Sequence, residues 1–324
     1  YLDGDEMGQV FDQVKAKDQA KAFSRAIETA ARETIMRSLA KYLHPAKIRP
    51  SDSRIIGTAE EVPHHALDRG RVRIHPFEII TIGGDDLILI VPAHIAIPLA
   101  CEISQTFQKA MHAACLNDPV LKPLASKPYT LSGGVVLADD HNPVQALQDL
   151  ASALKSSAKQ AHYTDDDKNQ NGHLDFIALM GTDLPERDLE QSRDLYPHTI
   201  AQPGLRPRPL SLLGRPYRVS QLADAWNELV ALKAAGFANT QMALLAQALL
   251  KGVQQSGLFY EYQRARGKPE AFAHLEAAMR SLQNIRERDI EIWKIFPDYP
   301  LPEFSARTVL WDIAELYSLV WKEG

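Results

Sequence analysis

Apolar residues recur at every fourth position from Phe23 through Ile27, Ala31, Ile35 and Leu39 to Leu43. That single stripe predicts one long amphipathic helix over about 18–43. A strand end at 1–5 and a short helix from about Met7 come before it. FEIITI (77–82) and LILIV (87–91) are rich in β-branched residues and are joined by GGDD. So short a joint predicts an antiparallel hairpin. Helical patterning returns at 94–115 and 143–161, and strand patterning at YTLSGGVVLA (129–138) and HLDFIALMG (173–181). Residues 45–72, with RPSDSR and EVPHHALDRG, read as a loop that holds a flexible insertion.

The predicted order is β-α-ββ-α-β-α-β. Its first six elements match a ferredoxin-like βαββαβ sheet with helices on one face, the palm of many polymerases and nucleotide cyclases. Past Gly181 the chain turns rich in Pro and Arg, and from Val219 helical patterns dominate, with turns near Gly236, Gly257, Gly267 and Pro297. No strand is expected in that last part. The fold class is therefore α+β: a palm over 1–183, a linker over 184–218 and an all-α domain over 219–324.

Bulk composition narrows the function. The 45% apolar and 24% charged residues suit a globular protein. A net charge of −5 carries no global nucleic-acid signature. Cys101 and Cys115 form no CxxC pair, so neither a zinc ribbon nor a disulfide framework is expected. No apolar run is long enough for a membrane span, no signal-peptide pattern is present, and a cytoplasmic location is expected. The opening YLDGDEMG lacks an initial Met and reads as a strand end, so the sequence is expected to be a piece of a longer chain.

In a ferredoxin-like sheet the first strand lies beside the central hairpin. The DGD of Asp3, Gly4 and Asp5 should then approach the hairpin tip with Asp85 and Asp86. Converging carboxylates repel unless a cation lies between them, and hard oxygen ligands suit Mg²⁺ or Mn²⁺. A two-metal site of this kind fits phosphoryl transfer. Gly83 and Gly84 would let a nucleotide approach the backbone. A solvated turn that happens to contain Asp-Asp is the competing explanation, and the DGD on the partner strand weighs against it.

YLDGDEMG, IITIGGDDLILIVP, YTLSGGVVLA, ALKSSAK and HLDFIALMG, in that order over about 1–181, resemble the second palm domain of the large subunit of type III CRISPR effector complexes, a distant relative of the GGDEF diguanylate cyclases. The resemblance implies an enzyme that converts ATP into cyclic oligoadenylates when target RNA is bound, in complex with guide RNA and other effector subunits. It further implies that Asp3 and Asp86 hold metal, with the Gly4 carbonyl near the ion. Asp85 would be a further ligand or a support, and Asp5 a ligand or an outer carboxylate. Lys159, and less strongly Lys155, would meet the triphosphate, and Ser132 and Gly133 the adenine or ribose. Leu87 follows Asp86 where the diguanylate cyclases have Glu-Phe after GGD, which favours the CRISPR group. The alternatives are a non-catalytic scaffold palm that organises guide RNA and subunits, and a cyclase that uses GTP.

Other features carry less. DKNQNGHLD (167–175) places Asp167, Asn169, Asn171, Gly172 and Asp175 at calcium-loop positions, but Ala178 stands where that loop needs a bidentate Glu. A plain turn into the last palm strand is the better reading. Arg206, Arg208, Arg215 and Arg218 form a basic stretch that suits RNA backbone or a partner subunit, or more simply a surface linker. His64 and His65 lack spaced ligands for a metal site. Trp226, Trp293, Trp311 and Trp321 are expected in the core or at an interface.

Overall fold

The computed structural model describes residues 1–14, 16–43, 46–49, 54–58, 72–166, 170–179, 189, 210–284, 292–295 and 306–320. The chain divides into two compact units, Tyr1–Ser132 and Gly133–Gly324.

In the first unit β1 (Leu2–Gly4) leads into α1 (Met7–Asp12) and α2 (Lys17–Tyr42). After β2 (Ala46–Arg49), β3 (Arg54–Thr58) and β4 (Val72–Ile74) come the hairpin strands β5 (Glu78–Gly83) and β6 (Asp86–Ile90). Helix α3 (Ala93–Asn117) then runs towards β7 (Leu131–Leu137), whose first residues belong to this unit. The strand order is the start of β7, then β1, β6 and β5, as a βαββαβ fold requires. The apolar stripe of α2 is buried from Phe23 to Leu43 and packs along α3, which buries Ile97, Ile103, Phe107 and Met111. Burial of that face, rather than helix propensity, stabilises so long a helix.

The expected loop at 45–72 is overturned in part. β3, β2 and β4 form a separate three-stranded sheet in that order, with Ala46 paired to Thr58 on one side and to Ile74 on the other. Strands of three to five residues are too short to show a period, and the Ala46–Ile74 pairing is remote in sequence. His64 and His65 lie outside the described residues.

The second unit continues β7 and adds α4 (Val144–Thr164) and β8 (His173–Ala178). β8 runs parallel to β7, with Gly133 opposite Leu174 and Leu137 opposite Ala178. Leu150 and Leu154 of α4 pack on Ile177, Val136, Leu179 and Leu189. Beyond them lie β9 (Leu210–Ser211), β10 (Tyr217–Arg218), α5 (Val219–Ala234), α6 (Asn239–Leu249), α7 (Val253–Arg266) and α8 (Pro269–Gln283). The last elements are β11 (Lys294–Ile295), β12 (Ala306–Arg307) and α9 (Leu310–Leu319). Leu222, Trp226 and Leu229 of α5, and Phe272, Leu275 and Met279 of α8, form the helical core. Trp293 is buried and donates to Ser256 Oγ at 2.8 Å, and Trp311 donates to Glu315 at 3.0 Å. Trp321 and Pro297 lie outside the described residues.

Three expectations fail in this unit. Residues 219–324 are mainly helical but not free of strands: β11 and β12 lie within them and form a small sheet with β9. Two-residue strands leave no periodic trace. Gly257 lies inside α7 and makes no turn. Residues 210–218 are not a surface linker either, because Arg215 is buried. Its Nε donates to Asp312 Oδ1 at 2.9 Å, Nη1 to the Phe176 carbonyl at 2.5 Å and Nη2 to Glu315 Oε2 at 2.5 Å. The guanidinium also lies 4.0 Å above the Phe176 ring, and Asp312 accepts from Gly214 N–H at 2.7 Å and from the Tyr217 hydroxyl. Arg218 is bound in a fork to Asp165, with Nε 2.6 Å from Oδ2. These two arginines therefore present no open basic face. Arg206, Arg208, Asp167 and Asn169 lie outside the described residues.

We predict that Arg215→Ala lowers unfolding stability by about 3–5 kcal/mol, because two buried carboxylates lose their counter-charge. Urea denaturation reads this directly, and a loss under about 1 kcal/mol would show that the guanidinium holds nothing together. A pH effect follows from His173, whose Nε2 lies 3.0 Å from Asp165 Oδ2. Burial pushes this imidazole down to about 4, against the opposing pull of Asp165. The ring is thus neutral at pH 7, and the contact is a hydrogen bond. Because the folded value lies below the ordinary 6.5, the contribution is complete above about pH 6.5. It is lost as pH falls towards 4, by up to about 3 kcal/mol. His173→Gln should flatten the stability profile across that window; matching slopes in the two proteins would refute the assignment.

Candidate functional site

Leu2 of β1 faces Leu87 of β6 in an antiparallel pair, and both are buried. Successive side chains alternate faces. The same register therefore sets Asp3 opposite Asp86 on the other face, where both are half-buried. This acidic pair is the centre of the site. The Tyr1 hydroxyl donates to Asp86 Oδ2 at 3.2 Å. Asp86 Oδ1 is buried and has no hydrogen-bond partner among the described residues. A buried acceptor without a donor costs roughly 1–3 kcal/mol, and more when charged. A cation beside it removes that cost.

Gly83 pairs with Asp86, which leaves Gly84 and Asp85 as a two-residue hairpin turn. Gly84 has φ +70°, and Asp85 is not among the non-glycine residues with positive φ. Positive φ at the first central position alone is the II′ geometry, and glycine is favoured there. The turn brings Asp85 back onto β1. A Cβ on Gly4 would lie 2.4 Å from Asp85 Oδ2 and 2.5 Å from Met7 Cγ. Gly4 is thus what lets the hairpin tip lie against the first strand.

Asp5 goes elsewhere. It is 2% exposed, and its Oδ2 accepts from Thr130 Oγ1 at 2.8 Å and from Ser132 Oγ at 2.9 Å. Its N–H donates to the Thr130 carbonyl at 2.9 Å. Glu6 follows with φ 54°, a left-handed backbone that costs a non-glycine residue about 1–2 kcal/mol. The chain leaves β1 through this tight corner before α1 begins.

Of the two roles expected for Asp5, its hydrogen bonds fit the outer carboxylate rather than a ligand. Asp3 and Asp86 face each other, Asp85 leans on Gly4, and Asp5 is engaged by two hydroxyls. Among the described residues, no group of three or more His, Cys, Asp or Glu side chains is arranged to hold a metal ion. Ser132, expected beside a nucleobase or ribose, is fully buried and binds Asp5. Lys155 and Lys159 stand one turn apart on α4 in the second unit, both half-buried. Tyr1 and Thr130 were not anticipated from the sequence. Their signal is period two along a strand, which gives Tyr1 the face of Asp3 and Thr130 the face of Ser132.

An opposed pair of carboxylates, with Asp86 Oδ1 lacking a donor among the described residues, suits a hard divalent cation such as Mg²⁺ or Mn²⁺. Asp3 and Asp86 are the residues that fit one. Residues 1–170 match the model of the Cas10/Cmr2 second palm domain. No curated protein matches the chain.

Gly4→Ala tests how closely β1 and the hairpin tip are packed. The added methyl overlaps Asp85 and Met7, and a loss of about 1–3 kcal/mol is expected from overpacking, read as a lower urea midpoint. An unchanged midpoint would mean that the tip has room to move.

Proposed function

This chain belongs to the Cas10/Cmr2 family, the large subunit of type III CRISPR effector complexes, and from that premise we propose that its palm is a metal-dependent nucleotidyltransferase that makes cyclic oligoadenylates from ATP once target RNA is bound. The observation that carries the reading is the Asp3–Asp86 pair at the hairpin tip, with Asp86 Oδ1 buried and lacking a donor among the described residues.

In the proposed reaction the 3′-hydroxyl of one ATP attacks the α-phosphate of another. A P–O bond forms, pyrophosphate leaves, and repetition followed by ring closure gives the cyclic product. Bound Mg²⁺ or Mn²⁺ would supply charge stabilisation at the phosphate and a more acidic ribose hydroxyl. The chain's own part is positioning. Asp3 and Asp86 hold the cation and Asp85 supports it from the turn. Gly83 and Gly84 leave space for the nucleotide at the tip. Asp5, fixed by Thr130 and Ser132, anchors the end of β1. Lys155 and Lys159 supply positive charge for phosphates. Guide RNA, target RNA and the other effector subunits are the proposed partners. No helix among the described residues is long and apolar enough to cross a membrane.

A scaffold palm without turnover is the second reading. It is favoured by the engagement of Asp5 with hydroxyls and by the absence of a three-ligand group among the described residues.

Calorimetry of ATP binding with Mg²⁺ or Mn²⁺, for the wild type and for Asp86→Ala, separates the two. The nucleotidyltransferase reading expects metal-dependent ATP binding that weakens more than about tenfold in the variant, since even outer-shell partners of a metal are worth about that much. It also expects weaker binding of GTP. A folded chain that binds no nucleotide would favour the scaffold, and tighter binding of GTP would point to a diguanylate-cyclase-like enzyme.

A further inference from the structure

The register of β1 on β6 places Tyr1 opposite Ile88, and so diagonal to Asp86 on one face of the sheet. Diagonal partners two residues along stand about 7–8 Å apart, a span that aromatic and other long side chains bridge. The phenol of Tyr1 bridges it, and its hydroxyl meets Asp86 Oδ2 at 3.2 Å. Tyr1 is itself half-buried, so packing limits the arc through which the ring swings.

The effect on Asp86 is specific. A carboxylate has two equivalent oxygens, and rotation about its last bond exchanges them. A phenol O–H donates to only one. With Oδ2 committed to Tyr1, Oδ1 is the oxygen left without a donor among the described residues. The two oxygens of Asp86 thereby acquire different tasks. One is held by the protein, and the other keeps its lone pairs for a cation beside Asp3.

We propose that Tyr1 is a positioning residue of the acidic pair: its hydroxyl fixes the rotation of the Asp86 carboxylate so that Oδ1 serves as a single-oxygen ligand to the divalent cation. This rests on the reading of Asp86 as a cation ligand. Outer-shell donors of this kind orient ligands and tune affinity in metal sites generally. In this role Tyr1 acts through Asp86, the carboxylate its hydroxyl meets.

The test titrates the full chain with Mn²⁺ and follows the free-ion signal by electron paramagnetic resonance. Wild type, Tyr1→Phe and Asp86→Ala are compared, and each is melted without metal. Tyr1→Phe keeps the ring and removes only the hydroxyl. The proposal expects Tyr1→Phe to bind Mn²⁺ about tenfold more weakly than wild type, while still unfolding cooperatively without metal. Asp86→Ala should lose at least as much. If Asp86→Ala loses Mn²⁺ but Tyr1→Phe binds like wild type, the positioning role is wrong while the assignment of Asp86 stands. If Tyr1→Phe no longer unfolds cooperatively without metal, the hydroxyl holds the fold itself and the proposal is overturned. If wild type and Asp86→Ala bind equally, Asp86 is no ligand, and the reading beneath the proposal falls with it.

Discussion

The antiparallel pairing of β1 with β6 is the constraint on which the site depends. Leu2 and Leu87 fix it, since both are buried on the helix-covered face. Burying each is worth about 1.5–3 kcal/mol. A slip of either strand by one residue would turn its leucine outward and drive its aspartate, Asp3 or Asp86, into the apolar layer. An unpaired carboxylate there costs several kcal/mol. The hydrophobic core therefore decides where the carboxylates stand, although it touches neither of them. Facing acidic groups are unfavourable in themselves, and they persist because the leucines behind them leave no other register.

Apolar burial has no direction, so it does not orient a carboxylate. Directional bonds do that here. Asp5 receives two hydroxyls and donates its N–H to Thr130, which locks the end of β1 to the approach of β7. The left-handed backbone at Glu6 then swings the chain into α1. On the hairpin side the II′ turn at Gly84 brings Asp85 onto Gly4. Both ends of the Asp3–Asp86 pair are thus held by polar contacts or by absent side chains. The left-handed backbone at Glu6 carries a conformational cost next to that pair, and such a conformation is retained when the surroundings over-determine it.

Much of this was legible in the sequence. The four-residue stripe from Phe23 to Leu43 specified α2, and GGDD between two β-branched runs specified the hairpin. The DGD at the end of β1 does meet its tip. That hydroxyls would engage Asp5 was not legible. That depends on whether a donor lies within reach, and Thr130 and Ser132 are more than a hundred residues from Asp5. The sheet of β2, β3 and β4 escaped because its strands are shorter than a recognisable period. Arg215 misled through composition. A stretch rich in Pro and Arg reads as exposed, and the acids that neutralise it lie about a hundred residues further on.

Arg215 shows the same logic in the second unit. Burial opposes its charge, yet Asp312 and Glu315 prevail and hold the guanidinium protonated. Burial also pushes the Glu315 carboxyl up, against the pull of the arginine. Such a cluster adds little stability over an apolar core of equal volume. What it adds is geometry: a planar fork that ties the Phe176 carbonyl of β8 to two acids of α9. In each unit a strand is therefore tied to its neighbours by a buried polar group with several partners as well as by apolar burial. Leu2 and Leu174 are buried in the layers where β1 and β8 lie, and Asp5 and Arg215 add the directional bonds that burial does not supply.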